Sequence, residues 1–350
     1  MADDDLGLHD QSPHNDDVRN VIERAGMLAP HLPQQVSPQL LDCVREQLDA
    51  YARWDNIAGP HQVLLGTTAQ AVQTEQLLMR SPDSLRPMVL ELCVRYSEFA
   101  GWLHQDAGLL RPAMSWSDRA HDYAEELGSD QLRSYVLMRK SNIALEAGDA
   151  SRSLSLAKAS LTTREPLGPR SRALGLRQLA LALAAIGDEA ACEVAIGSAI
   201  TEAGQAPRED EAHVSYCTPS YILMESGRCW LLLRRPRRAT PILDAALADW
   251  PNPFLRDRGL ALARLARAVL ENHELERACA LAVEAAELAR LSVSTRSLTQ
   301  LRLLSRGLAP YAQMPVVSDV QAQLRERLPR LSLNFGGGPH DRQAAIMFSS

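Results

Sequence analysis

The chain has 350 residues, with 37 Lys and Arg against 43 Asp and Glu, a formal net charge of −6 at pH 7. Six aspartates within the first 18 residues (Asp3, Asp4, Asp5, Asp10, Asp16, Asp17) account for the whole excess, so the remainder is balanced. A uniformly basic nucleic-acid binder and a polybasic membrane anchor are thereby excluded, and an aromatic content of 5% suits a helical protein built from Ala and Leu.

In chain order, residues 1–18 read as an acidic disordered tail and residues 19–37 as a short lead-in, with one short helix over Val18–Leu28. No basic start followed by an apolar segment marks a signal peptide. The longest apolar runs, such as Leu179–Gly187, fall far short of the ~20 residues of a membrane span. The six cysteines (Cys43, Cys93, Cys192, Cys217, Cys229, Cys279) form no CxxC pair, so they read as structural thiols. These features together predict a cytoplasmic protein.

From residue 38 to about 330, apolar residues recur at intervals of three and four, without alternating β-branched runs. Breakers punctuate the pattern at Gly59-Pro60, Ser81-Pro82, Gly108, Gly148-Asp149, Pro166 to Pro169, Gly187-Asp188, Pro236, Pro251 to Pro253 and Pro310 to Pro315. Regular punctuation asks for a repeat. Small residues recur at fixed offsets of 12 and then 7: Gly101/Ala113/Ala120, Ser141/Ser153/Ser160, Ala180/Cys192/Ala199, Gly227/Ala239/Ala246 and Ala266/Ala278/Ala285. A turn falls about seven residues after the first of each set. Two antiparallel helices approach closely only where side chains are small, and such a unit buries its apolar face by stacking on neighbours. The expected fold is therefore all-α, a right-handed α-solenoid of at least five helix-turn-helix repeats with terminal capping helices.

Small residues at these offsets, with Gly-Asp at the turn, resemble tetratricopeptide (TPR) repeats. The stretches Phe99-Ala-Gly-Trp-Leu-His-Gln-Asp-Ala-Gly108 and Gly227-Arg-Cys-Trp230 are similar to the TPR-like C-terminal region of actinomycete XRE-type (helix-turn-helix) transcriptional regulators. Leu48-Asp-Ala-Tyr-Ala-Arg-Trp-Asp55, followed by Gly59-Pro60, resembles the start of that region, and the likeness covers residues 40–328. In that family a DNA-binding domain of roughly 60–70 residues comes first. Only 38 residues precede the repeats here, so the expectation is a sensor half without the DNA-reading half.

Catalytic spacings are missing: no GxxxxGK[ST] loop, GxGxxG, GxSxG or HExxH occurs. His104 and Asp106 are two apart, on different faces of a helix, and read as solvated turn residues, as do Asp122, Glu125 and Glu126 on an exposed face. No enzyme, metal or cofactor is expected. A solenoid offers instead a concave surface lined by the first helix of each unit. Inward columns counted from the small residues give Glu98, Trp102, Tyr135, Met138, Asn142, Arg177, Tyr221, Met224, Arg228 and Arg267 as candidate groove residues. Their mixture of apolar and orienting polar groups suits a ligand or partner.

Nine arginines between Arg228 and Arg267 face only Asp244, Asp249 and Asp257, a local net of +6. Guanidinium forks suit carboxylates, so this stretch is expected to attract an acidic ligand, with the Arg234-Arg-Pro-Arg-Arg238 cluster in a solvated turn and the acidic tail as an internal competitor. Direct nucleic-acid binding is not expected, since no recognition helix or aromatic interleaving accompanies it. Helices over Thr295–Ala309 and Val316–Leu328 read as caps, and residues 331–350 as a flexible tail ending in the short apolar motif Ala344–Phe348. The resulting reading is a non-enzymatic regulatory or sensor protein whose groove binds a peptide, small ligand or partner regulator, with a homodimer left open. The alternative is a constitutive protein–protein scaffold without a small ligand.

Overall fold

A computed structural model describes residues 35–205, 214–251 and 254–327. The acidic segment 1–18, the helix expected over Val18–Leu28 and the tail 331–350 lie outside these described residues. The fold is an all-α solenoid of TPR-like helix pairs. The first pair is α1 (Pro38–Ala58) and α2 (Pro60–Leu78), followed by α3 (Arg86–Asp106) and α4 (Leu110–Leu127). Then come α5 (Asp130–Glu146) with α6 (Ala150–Ser160), α7 (Pro169–Ile186) with α8 (Glu189–Gln205), and α9 (Pro219–Leu232) with α10 (Pro236–Ala248). The array ends with α11 (Leu255–Glu271), α12 (Leu275–Ser292), α13 (Thr295–Leu308) and α14 (Pro315–Arg327).

The helix starts follow local chemistry. Proline occupies the first turn of α1, α2, α3, α7, α9 and α10, where its missing N–H costs nothing. Side chains of Ser37, Ser129, Asp149 and Thr218 accept from backbone N–H groups of the turns they open. The turns inside the five repeats share one geometry. Gly108, Gly148, Gly187, Arg234 and His273 all have positive φ, and each lies seven residues after the first small residue of its repeat. The N–H of the next residue then reaches back to a carbonyl five residues earlier: Leu109 to His104, Asp149 to Ala144, Asp188 to Leu183, Arg235 to Trp230 and Glu274 to Val269. Glycine adopts this conformation freely; Arg234 and His273 adopt it at a steric cost.

All fifteen small residues are buried. Close approach is literal: a methyl on Gly227 would overlap the side chain of Leu243, and one on Gly101 would lie 2.8 Å from Ser117 Oγ. The Ser141 hydroxyl donates to the Ser153 carbonyl across 2.7 Å, so even the polar member of the pattern is satisfied. Five cysteines are buried and Cys43 is exposed.

The solenoid curls until its beginning meets its end. Helix α1 packs against α11 and α12. Gly59, with φ +82° and ψ 172°, abuts Ser292, whose carbonyl oxygen a methyl at Gly59 would strike. The end of α3 reaches the start of α13, where the Ser294 hydroxyl donates to Asp106 over 2.6 Å. The apolar core is divided. One cluster runs from Tyr135 through α14, another joins α1 to α4, and a small third sits around Val94, Ala120 and Val136. None of these clusters crosses the seam between α1 and α11–α13; polar and charged side chains bridge it.

Candidate ligand cavity

The curled inner face forms a cavity of about 200 Å³ at the foot of a recess that opens to solvent. Each contributing helix presents one stripe at helical spacing: Leu48, Asp49, Ala52, Asp55 and Asn56 from α1; Arg95, Glu98, Phe99 and Trp102 from α3; Leu132, Tyr135 and Arg139 from α5. The wall is completed by Ser215 and Tyr216 ahead of α9, Tyr221 on α9, Phe254, Arg256 and Asp257 at the start of α11, and Arg296 on α13. Aromatic residues concentrate here. Of the four Phe, five Trp and seven Tyr in the chain, two Phe, one Trp and three Tyr line this cavity.

Trp102 is the hub. Guanidinium groups of Arg296, Arg139 and Arg256 lie 4.4, 4.5 and 5.0 Å from its ring centroid, within cation–π range. Its indole N–H donates to Asp55 Oδ2 over 3.0 Å. Each of these cations also has carboxylate partners. Arg256 donates to Asp55 Oδ2 at 2.6 Å and to Asn56 Oδ1 at 3.2 Å. Arg296 donates to Asp106 at 3.0 Å and Asp257 at 3.1 Å. Arg139 lies 2.9 Å from Glu98 and donates to Gln105 Oε1 over 3.2 Å. Arg95 and Asp49 pair at 3.4 Å nearer the mouth. Four lining arginines thus face four lining carboxylates, with Asp106 buried behind Arg256 and Arg296.

Burial tunes the acids in opposite directions. Desolvation raises the Asp55 carboxyl, aided by the nearby Asp106 charge and opposed by Arg256. Glu98 is likewise raised by burial against the pull of Arg139. For Asp106 burial again pushes upward, but Arg296 and Arg256 outweigh it and hold the group below its ordinary range. Tyr135, Tyr216 and Tyr221 are all pushed up by burial, so their hydroxyls remain protonated donors. The Tyr135 and Tyr216 hydroxyls lie 3.3 Å apart, and Tyr221 meets Tyr216 edge to face at 5.2 Å.

Of the ten groove residues expected from the sequence, the structure brings Glu98, Trp102, Tyr135 and Tyr221 together on this wall. Met138, Asn142, Arg177 and Met224 are buried instead between successive first helices. There Arg177 donates to the Met138 sulfur at 3.2 Å and stacks over Tyr221 at 5.6 Å. Helices α5, α7 and α9 pack directly on one another, which closes the inner face along their middle. Arg228 pairs with Glu225 at 3.6 Å. Arg267 donates to Gln300 at 2.6 Å and borders a separate small hollow with Glu271, His273 and Tyr311.

Other lining residues were not anticipated. Phe99 and Arg139 lie four residues beyond Arg95 and Tyr135; taking the i+4 neighbour beside the i+3 neighbour reaches both. Asp55, Asn56, Arg256, Asp257 and Arg296 enter through the seam, and no local spacing announces them.

Two expectations are corrected. His104 and Asp106 are not solvated: His104 is buried with its Nδ1 2.7 Å from the Ala100 carbonyl, and Asp106 is fully buried because α13 covers it. The +6 stretch between Arg228 and Arg267 is not one continuous positive surface. Carboxylates distant in sequence pair much of it: Arg256 meets Asp55, Arg264 meets Glu225 at 2.7 Å, Arg258 meets Glu284 at 2.7 Å, and Arg235 and Arg238 meet Glu189, while Arg234 and Arg237 are exposed. Burial pushes Glu225 upward, yet Arg264, Arg228 and Arg177 hold it well below the ordinary range.

Among the described residues no group of three His, Cys, Asp or Glu side chains could hold a metal ion. No described helix is long and apolar enough to cross a membrane.

No family model matches the chain, and no curated protein is significantly similar to it in sequence. Solved structures share its architecture. A Rap protein complexed with the competence and sporulation factor superposes with a TM-score of 0.54 at 14% identity, covering 88% of this chain and 96% of that one. A kinesin light chain-like protein from Podosopora anserina with nearly identical TPR-like repeats gives a TM-score of 0.38 at 14% identity, over 56% of this chain and 94% of that one. The human IFIT1 dimer with m7Gppp-AAAA gives 0.40 at 15% identity, over 89% and 68%. The helix pairs described above and the Rap likeness show the TPR-like helical repeat fold.

Proposed function

We propose that this chain is a non-enzymatic regulatory protein that senses a peptide or small ligand in the cavity around Trp102. The observation that carries the reading is the cavity itself: an aromatic-rich chamber whose walls come from both ends of the solenoid. A ligand that touches Trp102, Tyr135 and Arg256 at once touches the second, third and sixth helix pairs. Its binding energy therefore biases how tightly the seam closes, which is the requirement for a ligand-coupled switch. The Rap structure, solved with the competence and sporulation factor, is a precedent on the same fold. The resemblance to actinomycete XRE-type regulators supports transcriptional control as the output, through a partner regulator.

A thermal-shift screen of peptides and metabolites on the full chain tests the reading. The expected result is stabilisation of the unmodified protein by at least one compound, with the shift lost in Trp102→Ala. Stabilisation by no compound, together with a protein that co-purifies stoichiometrically from the host, would contradict it in favour of a constitutive scaffold.

A further inference from the structure

The cavity carries an unmatched set of polar atoms that defines what it would take. Asp55 is 2% exposed, and its Oδ2 accepts from both Trp102 and Arg256 while its Oδ1 has no hydrogen-bond partner. Arg139, 5% exposed, keeps its Nε 2.9 Å from Glu98. Arg256, also 5% exposed, leaves its Nε unmatched. The inventory is thus one buried anionic acceptor and one buried cationic donor, on side chains that both meet one indole. Unpaired buried polar atoms are costly, so a ligand group that pairs with them gains affinity.

Charge narrows the class further. The four lining arginines are matched by four lining carboxylates, so a polyphosphate would bind only by stripping Asp55, Glu98 or Asp257 of its cation. A polyamine would strand the arginines in the same way, and leaving one partner of a buried pair uncompensated is strongly unfavourable. A ligand with one positive and one negative charge leaves every existing pair intact. Six aromatic walls then favour a planar apolar body between the two charges.

We infer that the ligand is a zwitterion with an aromatic side chain, its ammonium group on Asp55 and its carboxylate on Arg256. The inference rests on the ligand-sensing reading above and specifies its chemistry. Free aromatic amino acids and short peptides with free termini share that chemistry, and the recess opens to solvent on one side, which leaves room for either.

Calorimetric titration of the full chain tests it with phenylalanine, tyrosine and tryptophan, their homodipeptides, the same dipeptides blocked at the amine or the carboxyl, pyrophosphate and spermidine. The expected result is saturable binding of at least one free zwitterion, weakened about tenfold or more by either block. Binding of the single amino acids identifies a metabolite as the source; binding of the dipeptides alone identifies a peptide. In Asp55→Asn, with folding verified by thermal melting, the amine block is expected to cost little further affinity. Blocked and free dipeptides binding equally to the unmodified chain, or no free zwitterion binding at all, would overturn the inference. Binding of pyrophosphate or spermidine that Trp102→Ala abolishes would overturn it while leaving the ligand-sensing reading intact; that reading stands or falls on the broader thermal screen.

Discussion

Between Ala180 and Cys192, or Ala266 and Ala278, the helices of one repeat meet through side chains of one or two heavy atoms, and dispersion contacts hold them. Across the seam the contacts are of another kind. Arg256 reaches Asp55, Arg296 reaches Asp106, and the apolar clusters on the two sides stay separate. Apolar packing keeps its strength as long as water is excluded, and it has no alternative partner. A seam of charge pairs, by contrast, offers polar atoms that a charged ligand can complement. The repeats are held by apolar packing, and the seam by charge pairs.

Breaking the seam should have the largest effect. Arg256→Ala leaves Asp55 without its cation and weakens the hold on Asp106, an expected loss of about 3–5 kcal/mol in chemical denaturation. The double variant Asp55→Leu/Arg256→Met should recover much of that loss, because two apolar groups replace a pair instead of orphaning one member. Gly59→Ala should cost about 3 kcal/mol, since glycine alone tolerates its backbone angles and the added methyl strikes Ser292.

Acid should then separate the two kinds of carboxylate. Glu225 and Asp106 have native values held below their unfolded ones. Their contribution is therefore complete above the ordinary carboxylate range and drains away as pH falls from about 4 towards those lower values. Asp55 and Glu98 are raised by burial and work oppositely: they favour the fold when protonated and oppose it as pH climbs through their native values. Stability measured from pH 7 to 3 should fall steeply at the acid end, and Glu225→Gln should flatten that end of the curve. The smallest effect should come from within a repeat turn. His273→Gly relieves a positive-φ histidine and is expected to stabilise by about 0.5–1 kcal/mol, seen as a small rise in the melting temperature.

The repeat was readable because its determinants are local. Helices joined by a short turn must touch, so the small residues at Gly101, Ala113 and Ala120 recur at fixed offsets along the chain. The turn at the seventh position is visible even where Arg234 and His273 replace glycine. The inner wall was readable only in part. The column Glu98 and Trp102 falls on the cavity because α3 faces the open space, whereas the equivalent column at Arg177 is covered by α5 and α9. That difference depends on how far the solenoid curls, which is a sum of small rotations over many units. The pairing of Asp55 with Arg256 spans 201 residues. Nothing near Asp106 announces that Arg296 will bury it, so its two-residue spacing from His104 pointed to solvent.

Closure of the seam is the claim on which the rest depends. The direct measurement is the distance between spin labels on cysteines placed at the exposed positions Ile57 and Leu291, in a Cys43→Ser background. A closed seam gives one short, narrow distance distribution that broadens and lengthens when Arg256→Ala is added. A broad, long distribution in the chain with its seam residues intact would contradict it.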